Sequence, residues 1–384
     1  MDEVADVVIA GGGPVGAALA LALCDSGLDV LLLEARENGQ RSRDSRPLAL
    51  SYGSRLILER LGVWDALAPA TAIERIHVSQ QGGFGRVMLS AAEARLPALG
   101  YVVDYAQLHA GLESAVRRRA LNYVTGAKVS AIRDAQATAS VEFVADDAEK
   151  AVTARLVVAA DGGALAGVAA ARTVDYHQSA LVAKVKSELP HCHTAFERFT
   201  SGGPLALLPS GDELALIWTA GHDHAQKLGE LSADEFLAQL QQQVGGRLGT
   251  FTETGVRSLF PLLLRYAASV TQTRTILIGN AAQTLHPVAG QGFNLGLRDA
   301  WELAGELMRC TRDVIGNAAM LQAYRARRRI DRSGGIAFTD SLVRLFSNDI
   351  MPLRMARGAG LTLLGCMPPV KDFVVRRMTF GARG

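Results

Sequence analysis

The chain is 384 residues long, room for two or three domains. Hydrophobic residues make up 49% and charged residues 20%, which excludes a disordered polymer and a fibrous repeat. Forty Lys and Arg against 38 Asp and Glu leave a net charge of +2, too balanced for a surface that neutralises nucleic-acid phosphates.

The N-terminus, Met-Asp-Glu, lacks the basic start of a secretory signal. The apolar stretch Val7 to Cys24 is broken by three glycines and a proline at 11 to 14, so it reads as strand, turn and helix, not a membrane span. Asp6 to Ala10 is a buried strand, Gly11 to Gly16 a glycine turn, Val15 to Ser26 a helix stopped by Gly27, and Asp29 to Glu34 a second strand. That is a complete βαβ unit. Tyr52 to Leu61 reads as a helix, and another opens near Asp104, with Gln107 at capping-box spacing. Ala127 to Ala145 alternates like a hairpin, and Thr153 to Ala160 is a continuous apolar strand ending at Asp161-Gly162. Strands follow at Tyr176 to Val185 and Glu213 to Ala220, then an amphipathic helix opened by Ser232 and Glu235. Arg274 to Gly279 returns to the buried-strand texture, and a long helix runs from about Gly292 to Cys310. From Tyr324 onward the period is helical, with twelve basic residues against four acidic ones. The four cysteines, Cys24, Cys192, Cys310 and Cys366, form no C-x-x-C pair, so neither a zinc cage nor a disulfide framework is expected, and a reducing cytoplasm is.

Gly11-x-Gly13-x-x-Gly16 sits between strand and helix, with Glu34 ending the next strand. The first glycine permits the tight turn, the second lets backbone approach a pyrophosphate, and the third lets helix and strand pack. The phosphates rest on the helix N-terminus, beside Pro14 and Val15, and the Glu34 carboxylate can accept ribose hydroxyls. This fingerprint does not choose between NAD and FAD. Further on, a strand ends in a second glycine turn and a helix begins at Gly290 to Gly292, where an electron-rich ring edge or a developing anion is stabilised.

That second run is Gly279-Asn280-Ala281-Ala282-Gln283-Thr284-Leu285-His286-Pro287-Val288-Ala289-Gly290-Gln291-Gly292-Phe293-Asn294-Leu295-Gly296-Leu297-Arg298-Asp299. Here the chain resembles the flavoprotein aromatic hydroxylases of the para-hydroxybenzoate hydroxylase type, in their ubiquinone-biosynthesis branch. The likeness extends from Val7 to Thr339-Asp340 and Leu345-Phe346-Ser347-Asn348. The resemblance implies an α/β fold: a Rossmann-like FAD-binding domain of the glutathione-reductase type, an inserted β-sheet substrate domain and a C-terminal helical region. Its expected divisions are residues 1–174 with an excursion at about 65–103, then 175–265, 266–325 and 326–384. It implies that Gly11, Gly13 and Gly16 hold the FAD pyrophosphate and Glu34 the adenosine ribose. Arg46 and Gln107 fall near the ribityl and phosphate groups, and Asp161-Gly162 serves both FAD and the reductant. Asn280 stands where most relatives carry an Asp for the ribityl chain. Pro287, Gly290, Gly292, Phe293 and Asn294 would face the flavin ring. The usual Ser and Arg after Asp-Gly are replaced here by Gly163 and Ala164, and no Arg follows until Arg172.

The implied chemistry is reduction of bound FAD by transient NADH or NADPH, followed by O2 addition. Oxygen then passes from a flavin C4a-hydroperoxide to a lipophilic phenol, 2-polyprenyl-6-methoxyphenol. His286, beside Pro287, is the candidate for proton traffic, with ring packing as its alternative. Trp218 reads as core on an alternating strand, and His191 and His193 as loop residues. The Arg327 to Arg329 run reads as a solvated helix face. With the rest of the basic tail it could meet the inner face of the cytoplasmic membrane or other ubiquinone-biosynthesis proteins. A non-catalytic FAD-binding scaffold and a flavin reductase are the alternatives; no nucleic acid and no metal are expected.

Overall fold

The computed structural model describes residues 4–40, 44, 46–67, 69–163, 165, 170–286, 290–346 and 350–383. Within them the helices are α1 (Pro14–Leu23), α2 (Tyr52–Arg60), α3 (Tyr105–Arg118), α4 (His222–Glu230), α5 (Ala233–Val244), α6 (Gln291–Leu307), α7 (Ala318–Phe346), α8 (Met351–Cys366) and α9 (Pro368–Phe380). Pro287, which carries part of the expected flavin contact, lies outside the described residues, as do Ser347-Asn348 and residues 166–169 after Asp161.

Ala5–Ala10 is buried at every position, as an interior strand of a parallel sheet requires. It pairs in parallel with Val30–Glu34 on one side and with Ala148–Ala159 on the other. Asn122–Thr125 extends the sheet beyond Val30–Glu34, and Thr275–Leu277 joins it beside Ala148–Ala159. The expected hairpin forms as Lys128–Asp134 against Ala139–Ala145. α1, α3 and α6 bury their apolar faces against one side of this sheet, in a core that includes Leu19, Leu108 and Leu297. The α1 to α6 approach depends on glycine: a side chain at Gly296 would strike the Gly279 backbone and Val15, each at 3.0 Å.

The second sheet has nine strands, with Ala171–Ser187, Glu213–Gly221, Gly203–Ser210 and Thr194–Thr200 as neighbours at its centre. Arg75–Gln80 and Arg86–Ser90 add to its edge from early in the chain. Alternate residues on a strand face opposite sides. Leu181, Leu205, Leu207, Leu216 and Trp218 accordingly pack under α4 and α5, with Trp218 6.0 Å from the Phe236 ring. α5 opens with the expected reciprocal cap between Ser232 and Glu235. Asp104 caps α3 by accepting the Ala106 amide at 2.8 Å. Pro47–Ser51, Gly100–Asp104 and Thr71–Ile73 form a small third sheet between these two.

The Arg327 to Arg329 run is solvated only at Arg329. Arg328 is 4% exposed and donates to Asp299 at 2.7 Å and to Asp331 at 2.8 Å. Arg327 pairs with Glu302 and Glu306 of α6. The helical period turns Arg328 and Asp331 toward Asp299 and Arg298 of α6, so the buried face of α7 is ionic there instead of apolar. Attraction to the two carboxylates holds Arg328 above its ordinary pKa despite burial. Removing one partner of such a buried set leaves an uncompensated charge. Arg328→Met therefore costs about 3–5 kcal/mol of folding free energy, measured by urea denaturation, whereas Arg329→Met on the exposed side changes it by less than about 0.5 kcal/mol.

Candidate functional site

A cavity of about 1190 Å³ runs through the molecule from the first glycine turn to the C-terminal helices. At one end it is lined by Gly11, Gly13, Pro14, Val15, Glu34 and Arg36. Gly279, Asn280, Gly290, Gly292 and Phe293 line it next to Asp161 and Gly162. The two glycine-rich runs, far apart in sequence, therefore share one wall.

The glycines divide by what requires them. Gly11 has φ +115°, and a Cβ there would lie 2.6 Å from the Ala160 carbonyl; a Cβ at Gly16 would strike the Gly11 carbonyl oxygen. Both are demanded by the protein's own packing. Gly13 and Gly292 meet nothing within 4 Å, and both line the cavity. There the backbone is bare toward open space, the condition a phosphate or a flat ring needs for close approach. Gly13 is the N-cap of α1, so the first helix amides, and the positive end of the helix dipole, face that space.

Glu34 ends its strand with its carboxylate in the cavity wall and accepts the Arg36 amide at 3.0 Å and the Arg36 Nε at 2.9 Å. Burial pushes its pKa up, but the Arg36 bonds and the Gly12 amide outweigh this and hold it below the ordinary carboxylate value. Glu34 is thus an anion at neutral pH, suited to accepting hydroxyl protons. Arg36 in turn meets His109 at 2.5 Å and Tyr105 joins the lining. Arg36 stands two residues after Glu34, a spacing the sequence offered but which carries no recognised motif.

Arg46 lines the cavity, paired with Asp44 and stacked over Phe260 at 4.7 Å. Asp161 accepts the Gly163 amide at 3.2 Å and the Leu165 amide at 2.5 Å, which fixes the turn beside the cavity. No Arg follows Asp161 closely in sequence, yet Arg265 reaches the same turn from another strand and donates to the Gly163 carbonyl at 2.8 Å.

Other expected residues lie elsewhere. Gln107 is exposed on the first turn of α3 and is not among the cavity-lining residues. The Asn294 side chain does not face the cavity. Its oxygen accepts from the Ser51 amide at 2.8 Å and the Ser54 hydroxyl at 2.7 Å, and its nitrogen donates to the Ala49 and Gly290 carbonyls at 2.9 and 2.6 Å. With its amide fully paired, Asn294 pins the start of α6 to the Pro47–Ser51 strand. His286 is 1% exposed, sits edge-on to Tyr176 at 5.6 Å and is absent from the lining. Burial lowers its pKa to about 4, so it is neutral at pH 7, and its ring packs on Tyr176. His191 and His193 are loop residues, with His191 against the Gly211 carbonyl at 2.8 Å.

Past the glycine runs the lining turns apolar. The sheet face opposite α4 and α5 contributes Val78, Ala206, Ile217 and Val182, and α7 to α9 contribute Phe338, Leu342, Leu361 and Met378. One carboxyl, Glu197, sits among them. Nothing in its own stretch marks it, because only the strand register brings it to this face.

The FAD binding domain family matches residues 4–332. The ubiquinone hydroxylase UbiL of Rhodospirillum rubrum is 36% identical across 98% of this chain and 89% of its own. The 3-demethoxyubiquinol 3-hydroxylase of Escherichia coli is 31% identical across 93% of each chain. The crystal structure of p-nitrophenol 4-monooxygenase PnpA from Pseudomonas putida superposes over the whole of both chains with a TM-score of 0.77 at 18% identity, a likeness of fold. A cavity wall built from two glycine-rich runs, and relatives matched over nearly their full length, place the chain in one family: it belongs to the FAD-binding monooxygenases of the flavoprotein aromatic hydroxylase type.

Proposed function

We propose that the protein hydroxylates a polyprenylated phenol of the 2-polyprenyl-6-methoxyphenol class in ubiquinone synthesis, with NADH or NADPH as electron donor and O2 as oxygen source. The observation that carries this reading is the single cavity in which a dinucleotide cradle opens into an apolar chamber. The names of the relatives supply the pathway.

FAD, when bound, supplies the redox chemistry that activates O2 for transfer to an electron-rich ring. The chain's own residues hold and shield it. The amides opening α1 take the pyrophosphate at Gly13, with Pro14 and Val15 alongside, and Glu34 takes the ribose hydroxyls. Gly290, Gly292 and Phe293 would hold the flavin ring, and Asp161, Asn280 and Arg46 would contact the rest of the cofactor. The apolar chamber beyond excludes water, which protects a reactive oxygen species from unproductive breakdown.

Phe338, Leu345, Ala356 and Gly360 line the cavity and are also exposed, an opening suited to the substrate's isoprenoid tail. Around it α8 and α9 expose Met351, Met355, Leu363 and Phe373, with Phe373 at 68%. Exposed Arg329 and Arg376 lie on the same three-helix region, whereas Arg328, Arg332 and Arg357 are bonded within the protein. This surface is suited to resting on an anionic bilayer. No described helix is long and apolar enough to cross one.

The purified protein should carry a flavin spectrum and consume NAD(P)H and oxygen faster when a polyprenylated methoxyphenol is added, with hydroxylated product by mass spectrometry. Flavin without substrate-stimulated oxygen use moves the reading to a reductase. Gly13→Val should fold within about 1 kcal/mol of the parent apoprotein, the cost of a poorer helix N-cap, because its φ of −60° suits any residue and its Cβ meets nothing, yet lose FAD affinity at least about tenfold. Gly292→Asp should lose flavin as well, by aiming a carboxylate into the cavity; unchanged flavin content in both variants contradicts the placement. In vesicle sedimentation, the protein should bind anionic liposomes in low salt, and Met355→Asp with Phe373→Asp should reduce the bound fraction about tenfold.

A further inference from the structure

Glu197 lies on the Thr194–Thr200 strand, where the register aligns it with Val78 on one neighbour and Ala206 on the other. The row continues through Val87 beyond Val78 and through Ile217 and Val182 beyond Ala206. Six strands thus present one carboxyl in an otherwise apolar row along the chamber wall. Its Oε1 is buried, and among the described residues no protein group bonds it. The facing helices bring one charged side chain to the lining, Arg357 of α8, which donates to the Leu345 carbonyl at 2.7 Å and lies 5.6 Å over the Phe346 ring. Buried polar atoms in native proteins have partners; Glu197 lines the cavity and carries a buried oxygen without one, so its carboxyl marks where a ligand atom can complete the pairing.

We propose that Glu197 recognises the ring hydroxyl of the substrate, hydrogen-bonding to that oxygen while the apolar row covers the ring. This rests on the phenol reading above and adds to it the residue that selects a hydroxylated ring. Burial pushes the Glu197 carboxyl up to about 8, so at neutral pH it holds its proton and donates. A neutral carboxyl is what an apolar chamber accommodates, and a fixed polar partner discriminates strongly against an analogue that lacks the matching group. Val78 and Ala206 on either side offer no competing partner.

The test measures binding to the FAD-loaded protein, by change in flavin fluorescence, of 2-farnesyl-6-methoxyphenol and of 1-farnesyl-3-methoxybenzene, the same ring without its hydroxyl. The parent should prefer the phenol by about tenfold or more. Glu197→Leu should lose that preference while keeping full flavin and binding the deoxy compound within about threefold of the parent, and Glu197→Gln should restore a preference, since an amide still hydrogen-bonds. A Leu variant with full flavin and an undiminished preference overturns the proposal; if Leu prevents folding, Glu197→Ala is read the same way. A parent that binds both compounds equally overturns the role of Glu197 alone. A parent that holds FAD and binds neither overturns the phenol reading, and the proposal falls with it.

Discussion

The Asp299 carboxylate accepts from three directions: the Gly279 amide at 3.2 Å, the Gln283 side chain at 2.7 Å and Arg328 at 2.7 Å. Those partners belong to the second glycine turn, to the short strand after it and to α7, while Asp299 itself lies on α6. One buried anion thus sets where the turn at Gly279 stands relative to the helix whose N-terminus bounds the cavity. Arg328 carries the constraint to Asp331, which also binds Arg298 at 2.8 Å and the Ala382 amide at 3.1 Å. Burying four charges gains little over an apolar core of the same volume, but it tolerates few alternative arrangements, and a cofactor wall made of two separate segments needs that restriction.

Asn294 completes the arrangement from the other end of α6. Asp299 fixes the helix toward the C-terminal region, and Asn294 fixes its first turn to the strand at 47–51 through four hydrogen bonds. Between the two pins, Gly296 lets α6 lie against Gly279 and Val15 without a side chain in the way. Gly292, whose Cβ position is open space along the cavity, can then remain uncommitted to the fold, because residues beside it carry the structural work.

What could be read from the chain follows the same division. A glycine turn between a buried strand and a helix is a local backbone requirement, so Gly11, Gly13, Gly16 and Glu34 were legible from spacing, as were the cap at Ser232 and the strands flanking the turn. Asn294 was legible as part of a motif but not in its role, since its partners Ala49, Ser51 and Ser54 are more than two hundred positions away. Arg328 read as surface because charge is normally solvated; the acids it pairs with are Asp299 on another helix and Asp331 on the next turn of its own. His286 read as a candidate for proton traffic or as ring packing, because its type titrates near neutral pH, whereas the burial that lowers its pKa to about 4 is a tertiary fact.

Glu197 shows the limit most clearly. Its stretch, Thr-Ala-Phe-Glu-Arg-Phe-Thr, resembles any half-polar strand, and Arg198 beside it points by strand alternation to the opposite face. The central strands of this sheet, Gly203–Ser210 and Glu213–Gly221, are apolar on both faces: one side packs under α4 and α5, and the other lines a chamber that the protein does not fill. A sheet that keeps a second apolar face uncovered by its own helices must cover it with something, and here much of that cover is α7 to α9 and the cavity between. On such an apolar surface a polar atom is exceptional, because it needs a partner that the surrounding side chains cannot supply. A lone carboxyl in that position therefore serves the fold poorly and a ring hydroxyl well, which is why a single oxygen bears more on the choice of substrate than the whole apolar wall around it.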